Sequence, residues 1–180
     1  MKLIKFAAIV SLALVAGCVQ PLDPSTPAPS AADAYFVMGI SNQDTKVLVV
    51  AGTINGGVFD ASYVRRDSMM TFVSKDGYVV GKVPTGAPLA VVALDTDTGW
   101  RYSPCKSVAK DKAGNALVFE AEAGKVVYLT DLTMVRYFDY LKPQYHLDIA
   151  RARDFMRSRY PQLAPALAQG VSRMVRTGEC

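Results

Sequence analysis

Residues 77–94 read GYVVGKVPTGAPLAVVAL and contain two short apolar runs, rich in valine and leucine, on either side of a turn. The turn, PTGAP, holds two prolines and a glycine, which favour the backbone conformations of turns. Short runs of β-branched residues bounded by such turns are typical of β-strands. This segment therefore predicts two strands, at 78–83 and 89–94.

The same pattern recurs along most of the chain, with a turn signal roughly every ten residues. The run 46–54 is almost wholly apolar, which indicates a strand covered on both faces. Asn55-Gly56-Gly57 follows it and is a strong hairpin signal, because these residues tolerate positive φ. Further hairpins are predicted around the turns at 75–77 and 123–124. The predicted strands are 35–40, 46–54, 58–64, 69–74, 78–83, 89–94, 118–122 and 125–137. The fold class is therefore mainly β, an antiparallel β-sandwich of about seven or eight strands.

A helical period begins at Asp148, which can cap the amino end of a helix. Apolar residues then recur at helical spacing with basic residues between them, and Pro161 ends the helix at or before Tyr160. Similar spacing beyond this point predicts a second, weaker helix. One or two C-terminal α-helices are therefore expected to cover one sheet face or edge. The apolar positions are Ile149, Ala152, Phe155, Met156 and Tyr160 in the first helix, and Leu163, Leu167, Val171 and Met174 in the second.

The segment 77–94, together with VFEAEAGKVVYLTDL at 118–132, resembles the small transthyretin-like or carboxypeptidase-regulatory-like β-sandwiches of many bacterial lipoproteins. The resemblance covers roughly residues 70–165. Its motifs consist of turn and core residues, so it implies a fold and says little about activity.

The amino terminus has the layout of a secretory signal peptide, with Lys2 and Lys5 followed by a short apolar block and small residues. The block is about half the ~20 residues that a membrane-spanning helix needs. Its end, LVAGC at 14–18, resembles the lipobox of bacterial lipoproteins, in which the cysteine receives a diacylglycerol and becomes the mature amino terminus. The resemblance implies a signal peptide at 1–17 and lipidation of Cys18. The alternative is a plain signal peptide with an incidental cysteine.

Residues 18–33 are expected to form a tether between the lipidated cysteine and the folded domain, because they hold four of the ten prolines. In extended polyproline II conformation, such a segment would reach roughly 45 Å. The folded domain is then expected at 34–180. Val19 occupies the position where aspartate would resemble an inner-membrane retention signal. We therefore expect an outer-membrane lipoprotein that faces the periplasm, with exposure at the cell surface as an open alternative.

The positive charge is concentrated near the carboxyl terminus. The whole chain has a net charge of +4, and residues 147–180 carry six arginines against three acidic residues. We interpret these arginines either as a solvated helix face or as a surface for phosphates, anionic lipid or another envelope protein. The candidate interaction residues are Arg151, Arg153 and Arg157. Arg65-Arg66 is a single basic pair, so no nucleic-acid partner is expected.

Two cysteines remain after Cys18, and an exported protein meets an oxidising compartment. Cys105 and Cys180 are therefore expected to form a disulfide. A reduced cysteine at a frayed carboxyl terminus is the alternative.

Signals for catalysis are weak. His146 is the only histidine, and no Gly-x-Ser-x-Gly motif accompanies it. The sequence DTDTG at 95–99 begins like a calcium loop but lacks the later ligands, and no phosphate-binding loop is present. No metal or cofactor is therefore expected.

We expect a non-enzymatic structural, adaptor or binding protein of the cell envelope, anchored to the membrane by its lipid. The alternative is a periplasmic hydrolase that uses paired carboxylates as acid and base. The candidate pairs are Glu120 with Glu122 and Asp95 with Asp97.

Overall fold

The computed structural model describes residues 21–41, 44–61, 68–99, 101–104, 114–137 and 140–178. Twelve strands and one α-helix lie within these residues, which confirms the mainly β class and a C-terminal helix. The strands are β1 (Ala34–Ile40), β2 (Lys46–Asn55), β3 (Val58–Ala61), β4 (Met69–Val73), β5 (Tyr78–Val83), β6 (Leu89–Asp95), β7 (Arg101–Tyr102), β8 (Asn115–Phe119), β9 (Val126–Tyr137), β10 (Tyr140–His146), β11 (Leu167–Gln169) and β12 (Ser172–Thr177). The helix α1 spans Ile149–Arg159, and a short 3-10 turn spans Ala164–Ala166.

Five of these strands close into a small barrel, in the order β2, β3, β12, β8, β6 and back to β2. One buried cluster contains apolar residues from all five, in which Ala90 and Ala116 lie in the same core as Phe59. Alanines suit this position because a narrow barrel leaves little interior volume. β4 and β7 extend the barrel sheet beside β2 and β6.

A second, mixed sheet lies against the outside of the barrel and has the order β10-β9-β1-β5. β1 runs parallel to β9, whereas β5 and β10 run antiparallel to their neighbours. β11 pairs in parallel with the beginning of β9, and β10 pairs with the rest of that strand. The helix α1 covers the other face of this sheet, so the molecule has three layers.

β1 shows how the layers are held together, because all its residues are buried. Phe36 and Met38 belong to the core between the mixed sheet and the barrel, whereas Tyr35 and Val37 belong to the core beneath α1. Successive residues of a strand point to opposite faces, so one strand contributes to both cores.

The helix α1 begins and ends where the sequence predicts. The Asp148 carboxylate accepts a hydrogen bond from the Arg151 backbone N–H at 3.0 Å, as expected of an N-cap. Ala152 and Met156 are fully buried in the core beneath α1, and Ile149 and Phe155 pack beside them. The predicted apolar face is therefore the face that contacts the sheet.

The predicted second helix is wrong. The residues assigned to it form the 3-10 turn, β11 and β12 instead. Two of its supposed core residues, Val171 and Met174, are 85% and 44% exposed. β12 completes the barrel between β3 and β8, so the backbone groups of those two strands find partners that a helix could not provide.

The purely antiparallel sandwich of seven or eight strands is also corrected. The described residues contain twelve strands, and three strand pairs are parallel: β1 with β9, β11 with β9, and β3 with β12. These pairs join strands that are distant in sequence, so no hairpin turn fixes their relative direction.

The turns are predicted better than the pairings. The β2–β3 hairpin is confirmed, with Gly56 and Gly57 both at positive φ. Asp76 and Gly77 also form the expected turn, but β4 then pairs with β2 and β5 pairs with β1. β8 and β9, on either side of the turn at Gly124, likewise belong to different sheets.

Among the described residues, no helix has the length and apolar character needed to cross a membrane.

Candidate functional site

The segment 21–33 lies against the folded domain and contacts it at both ends. Leu22 packs against the core beneath α1, and its carbonyl accepts a hydrogen bond from the Tyr160 hydroxyl at 3.2 Å. At the other end, Asp33 forms an ion pair with Lys82 at 2.5 Å, and its carbonyl accepts from the Gly124 N–H at 2.7 Å. The side-chain hydrogen bond from Lys82 lowers the pKa of Asp33 to about 2.

Between these contacts the segment bends. Asp23 accepts hydrogen bonds from the backbone and side chain of Ser25, and Asp33 accepts two from Ser30. Such local bonds are typical of Asx-type turns. The extended reach expected of the tether therefore does not describe residues 21–33. Among the described residues, the chain already contacts the domain at Leu22, four positions after Cys18.

The arginines of α1 are divided between two sides of the helix. Arg153 and Arg157, one turn apart, line an open groove of about 520 Å³ between α1 and the segment that follows it. Arg151 instead lies over the ring of Tyr78, with 6.0 Å between its guanidinium carbon and the ring centroid. The predicted surface of Arg151, Arg153 and Arg157 is therefore split. Arg173 and Arg176 are further away, on β12 of the barrel.

Arg151 lies beside a small polar cavity of about 50 Å³ that the sequence analysis missed. The cavity is lined by Asp131 of β9 and Tyr78 of β5, with Gly39 of β1 between these strands. A Cβ atom at Gly39 would lie 2.0 Å from Asp131 Oδ1, so only glycine leaves room for the carboxylate. The β1–β9 register also shifts between Val37 and Gly39, as at a β-bulge.

Two polar atoms at this cavity are buried without a hydrogen-bond partner among the described residues, Asp131 Oδ1 and the Tyr78 hydroxyl. An ordered water commonly bridges such groups when a cavity of this size is polar. Burial raises the pKa of Asp131, although a hydrogen bond from the Tyr128 hydroxyl and the Arg151 charge oppose the shift. Burial, followed by the Asp131 charge, raises the pKa of Tyr78 to about 12. A lone acid within the apolar run of β9 was the signal that could have identified this cluster.

The raised pKa of Asp131 predicts a specific dependence of stability on pH. The folded protein holds this proton more tightly than the unfolded chain, so the contribution of Asp131 to stability falls as pH rises from about 4 through the folded-state pKa. Asp131→Asn replaces the carboxyl with a group that does not ionise, so the variant does not lose this stability as pH rises. We expect the unfolding free energy of the variant, relative to wild type, to increase between pH 4 and pH 8.

Urea denaturation of both proteins at several pH values measures this difference. Asp95→Asn is the matched control, because Asp95 is half-exposed and forms a surface ion pair with Arg101 at 3.2 Å. A difference between Asp131→Asn and wild type that stays constant with pH contradicts the prediction.

Glu120 and Glu122 are both exposed, while Phe119 and Ala121 are buried, as the predicted alternation requires. β8 ends at Phe119, so the two glutamates follow the strand rather than lie in it. They line one open cleft of about 310 Å³ together with Arg173 and Val171. Glu122 is also ion-paired with Lys125. The cleft therefore brings two carboxylates and a guanidinium together at the surface.

The other candidate residues have structural surroundings. Asp95 is the last residue of β6, and Thr96 and Gly99 form the turn towards β7. Asp97 is exposed in that turn. His146 lies opposite Asp131 in the β9–β10 pair and is exposed. In the described ranges, no group of three or more metal-ligating side chains comes together.

Cys18, Cys105 and Cys180 lie outside the described residues. Nearby described residues are in contact, however, because the Thr177 hydroxyl donates to the Pro104 carbonyl at 2.9 Å. Pro104 immediately precedes Cys105, and Thr177 lies three positions before Cys180. The disulfide between Cys105 and Cys180 stays a prediction from the sequence.

We therefore expect thiol counting on the denatured, unreduced exported protein to find neither Cys105 nor Cys180 free. Reduction should release both thiols. A disulfide that closes so long a loop should contribute about 4 kcal/mol to stability, so reduced protein should unfold at lower urea concentration. Two reactive thiols before reduction contradict the bridge, and one indicates an intermolecular link.

The sequence matches no protein-family model, no curated protein and no solved structure.

Proposed function

We propose that this chain is a lipid-anchored protein of the cell envelope, in which acylated Cys18 is the mature amino terminus and the β domain rests close to the membrane. The lipobox-like sequence carries the proposed anchor, and Leu22, which packs against the domain four residues after the cysteine, supports the short distance between domain and membrane. The lipobox-like residues 14–18 supply the site of acylation. Val19, where an aspartate would resemble an inner-membrane retention signal, supports attachment to the outer membrane.

The role of the domain is adaptor-like or structural rather than enzymatic. Leu22 packs on the helix side of the mixed sheet, whereas the barrel packs on the opposite face of that sheet. Val171 and Met174 are 85% and 44% exposed where the chain passes from β11 of the mixed sheet into β12 of the barrel. Exposed apolar residues at this junction suit contact with another envelope protein.

Cys18→Ser tests the anchor. Labelled fatty acid should mark the wild-type protein and leave the variant unlabelled, because the thiol is the acylated group. Wild-type protein should also fractionate with the outer membrane. Equal labelling of both proteins contradicts the proposed anchor, and recovery in the inner-membrane fraction contradicts the proposed location.

The cleft that contains Glu120, Glu122 and Arg173 favours one alternative, a periplasmic hydrolase that acts on wall polymer or lipid. Two carboxylates on one cleft could act as general acid and base. Purified protein would then release soluble fragments from isolated cell-wall polymer or lipid, and Glu120→Gln and Glu122→Gln would abolish release. Asp154→Asn, at an exposed position of α1 outside this cleft, is the control. No release by the wild-type protein excludes this alternative for the substrates tested.

A further inference from the structure

We infer that the groove lined by Arg153 and Arg157 binds the phosphate headgroup of an anionic phospholipid in the leaflet that holds the acyl chains of Cys18. The inference rests on the proposed lipid anchor. It adds a second, non-covalent contact between the domain and the membrane, and it assigns the ligand that this groove receives.

The first argument is the short length of chain between the anchor and the groove. Four residue steps separate Cys18 from Leu22, which span at most about 14 Å when fully extended. Leu22 is hydrogen-bonded to Tyr160, and the next residue, Pro161, lines the groove. An anchored chain therefore holds this end of α1 near the lipid headgroups.

The second argument is charge. Arg153 and Arg157 are four residues apart on α1, so their side chains are neighbours on one helix face. Guanidinium groups match phosphate oxygens with paired hydrogen bonds. Within the described part of the chain, Arg153 has no ion pair, and the ion-pair partner of Arg157 is Asp154, at 3.3 Å. Both members of that pair are exposed, so the pair is weak and can exchange for a phosphate.

The third argument is the composition of the groove. Apart from the two arginines, its lining is apolar: Pro161, Ala164, Pro165 and Leu167. A phospholipid headgroup presents a phosphate next to a glycerol and acyl ester region. The two arginines match the phosphate, and the apolar residues of the groove match the ester region. The volume of about 520 Å³ lies within the range of small-molecule sites, roughly 300–1,000 Å³.

The test measures how fast each arginine reacts with phenylglyoxal in the acylated, mature protein reconstituted into vesicles. One set of vesicles contains phosphatidylcholine alone, and the other contains added phosphatidylglycerol. Peptide mass spectrometry reads each arginine separately, and the mass of the amino-terminal peptide reports acylation. Arg173 and Arg176, on the barrel, are the internal controls.

We expect phosphatidylglycerol to slow modification of Arg153 and Arg157 at least about fivefold. Each arginine near an anionic surface strengthens binding to that surface by roughly this factor. Arg173 and Arg176 should react equally in both vesicles, and high salt should remove the protection. In a second measurement, the unacylated Cys18→Ser chain should float with phosphatidylglycerol vesicles. Adding Arg153→Gln and Arg157→Gln should weaken flotation roughly 25-fold, whereas Arg173→Gln with Arg176→Gln should not.

Three outcomes overturn the inference. If the amino-terminal peptide is acylated but Arg153 and Arg157 react at the same rate in both vesicles, the anchor is correct and the groove does not bind anionic lipid. If these arginines are protected only in intact envelopes, an acidic protein occupies the groove instead. If the peptide carries no acyl group, the proposed anchor fails, and the inference fails with it.

Discussion

We expect Phe36→Ala to lower the free energy of unfolding by about 3–5 kcal/mol, the range for removing a fully buried aromatic ring. Phe36 lies in β1 with no exposed surface, at the centre of the core between the mixed sheet and the barrel. Its ring makes an edge contact with Phe72 of β4 at 5.0 Å between centroids, and a tilted contact with Phe119 of β8 at 5.6 Å. Substitution by alanine would leave a cavity in this core and would remove the ring contacts that join the two sheets.

Urea denaturation followed by circular dichroism measures the effect. Val171→Ala is the control, because this side chain is 85% exposed and its truncation should change stability by less than about 0.5 kcal/mol. If Phe36→Ala unfolds at the wild-type urea concentration, the two sheets do not share this core. If the variant does not fold, Phe36→Leu, which fills most of the space, should recover a measurable transition at reduced stability.

We expect Phe155→Ala to cost about 3 kcal/mol, the lower end of the same range because Phe155 is half-buried. Its ring stacks on Tyr78 with 4.3 Å between centroids and an interplanar angle of 20°. It also makes an edge contact with Tyr160, whose hydroxyl donates to the Leu22 carbonyl. Removal of the ring should therefore loosen α1 and the docked segment 21–33 together.

Arg157→Ala is the matched control on the exposed side of α1, and it should change stability by no more than about 0.5 kcal/mol. Denaturant melts of the mature chain give the free energies, and limited proteolysis shows whether the two segments are released. The competing hypothesis is that the region after 147 is a basic arm that folds only on a partner. An unchanged midpoint for Phe155→Ala would support that hypothesis and contradict a structural role for α1.

Sequence reasoning was most successful where structure depends on neighbouring residues. The glycines at 56, 57, 77, 86 and 124 have positive φ at the predicted turns, because no other residue adopts that conformation as easily. The apolar face of α1 and its cap at Asp148 follow from helical spacing and one side-chain hydrogen bond. The prediction that the strand at 46–54 is covered on both faces is confirmed as well. Val49 lies in the core between the barrel and the mixed sheet, and Val50 lies in the barrel interior.

Sequence reasoning was least successful for the candidate sites. Arg151, Arg153 and Arg157 looked like one surface, but two residues correspond to about 200° of helix rotation, which separates Arg151 from Arg153. The Asp131 cavity has no motif, because Gly39, Tyr78 and Asp131 come from three strands that meet only in the folded sheet. The groove at Arg153 and Arg157 likewise needs the chain after Pro161 to turn back beside α1.

The sequence by itself therefore determined the approximate positions of eight of the twelve described strands, the turns between them, and the bounds and apolar face of α1. These properties follow from backbone conformational preferences and residue spacing within a few positions. Only the tertiary structure decided which strands pair. β1 lies between β5 and β9, β12 closes the barrel, and residues 21–33 dock against the domain. The hydrophobic effect is non-directional, so apolar residues alone do not select a neighbouring strand. The backbone groups at each strand edge also need hydrogen-bonding partners. Pairing therefore depends on which distant segments bury the apolar residues and satisfy these backbone groups together.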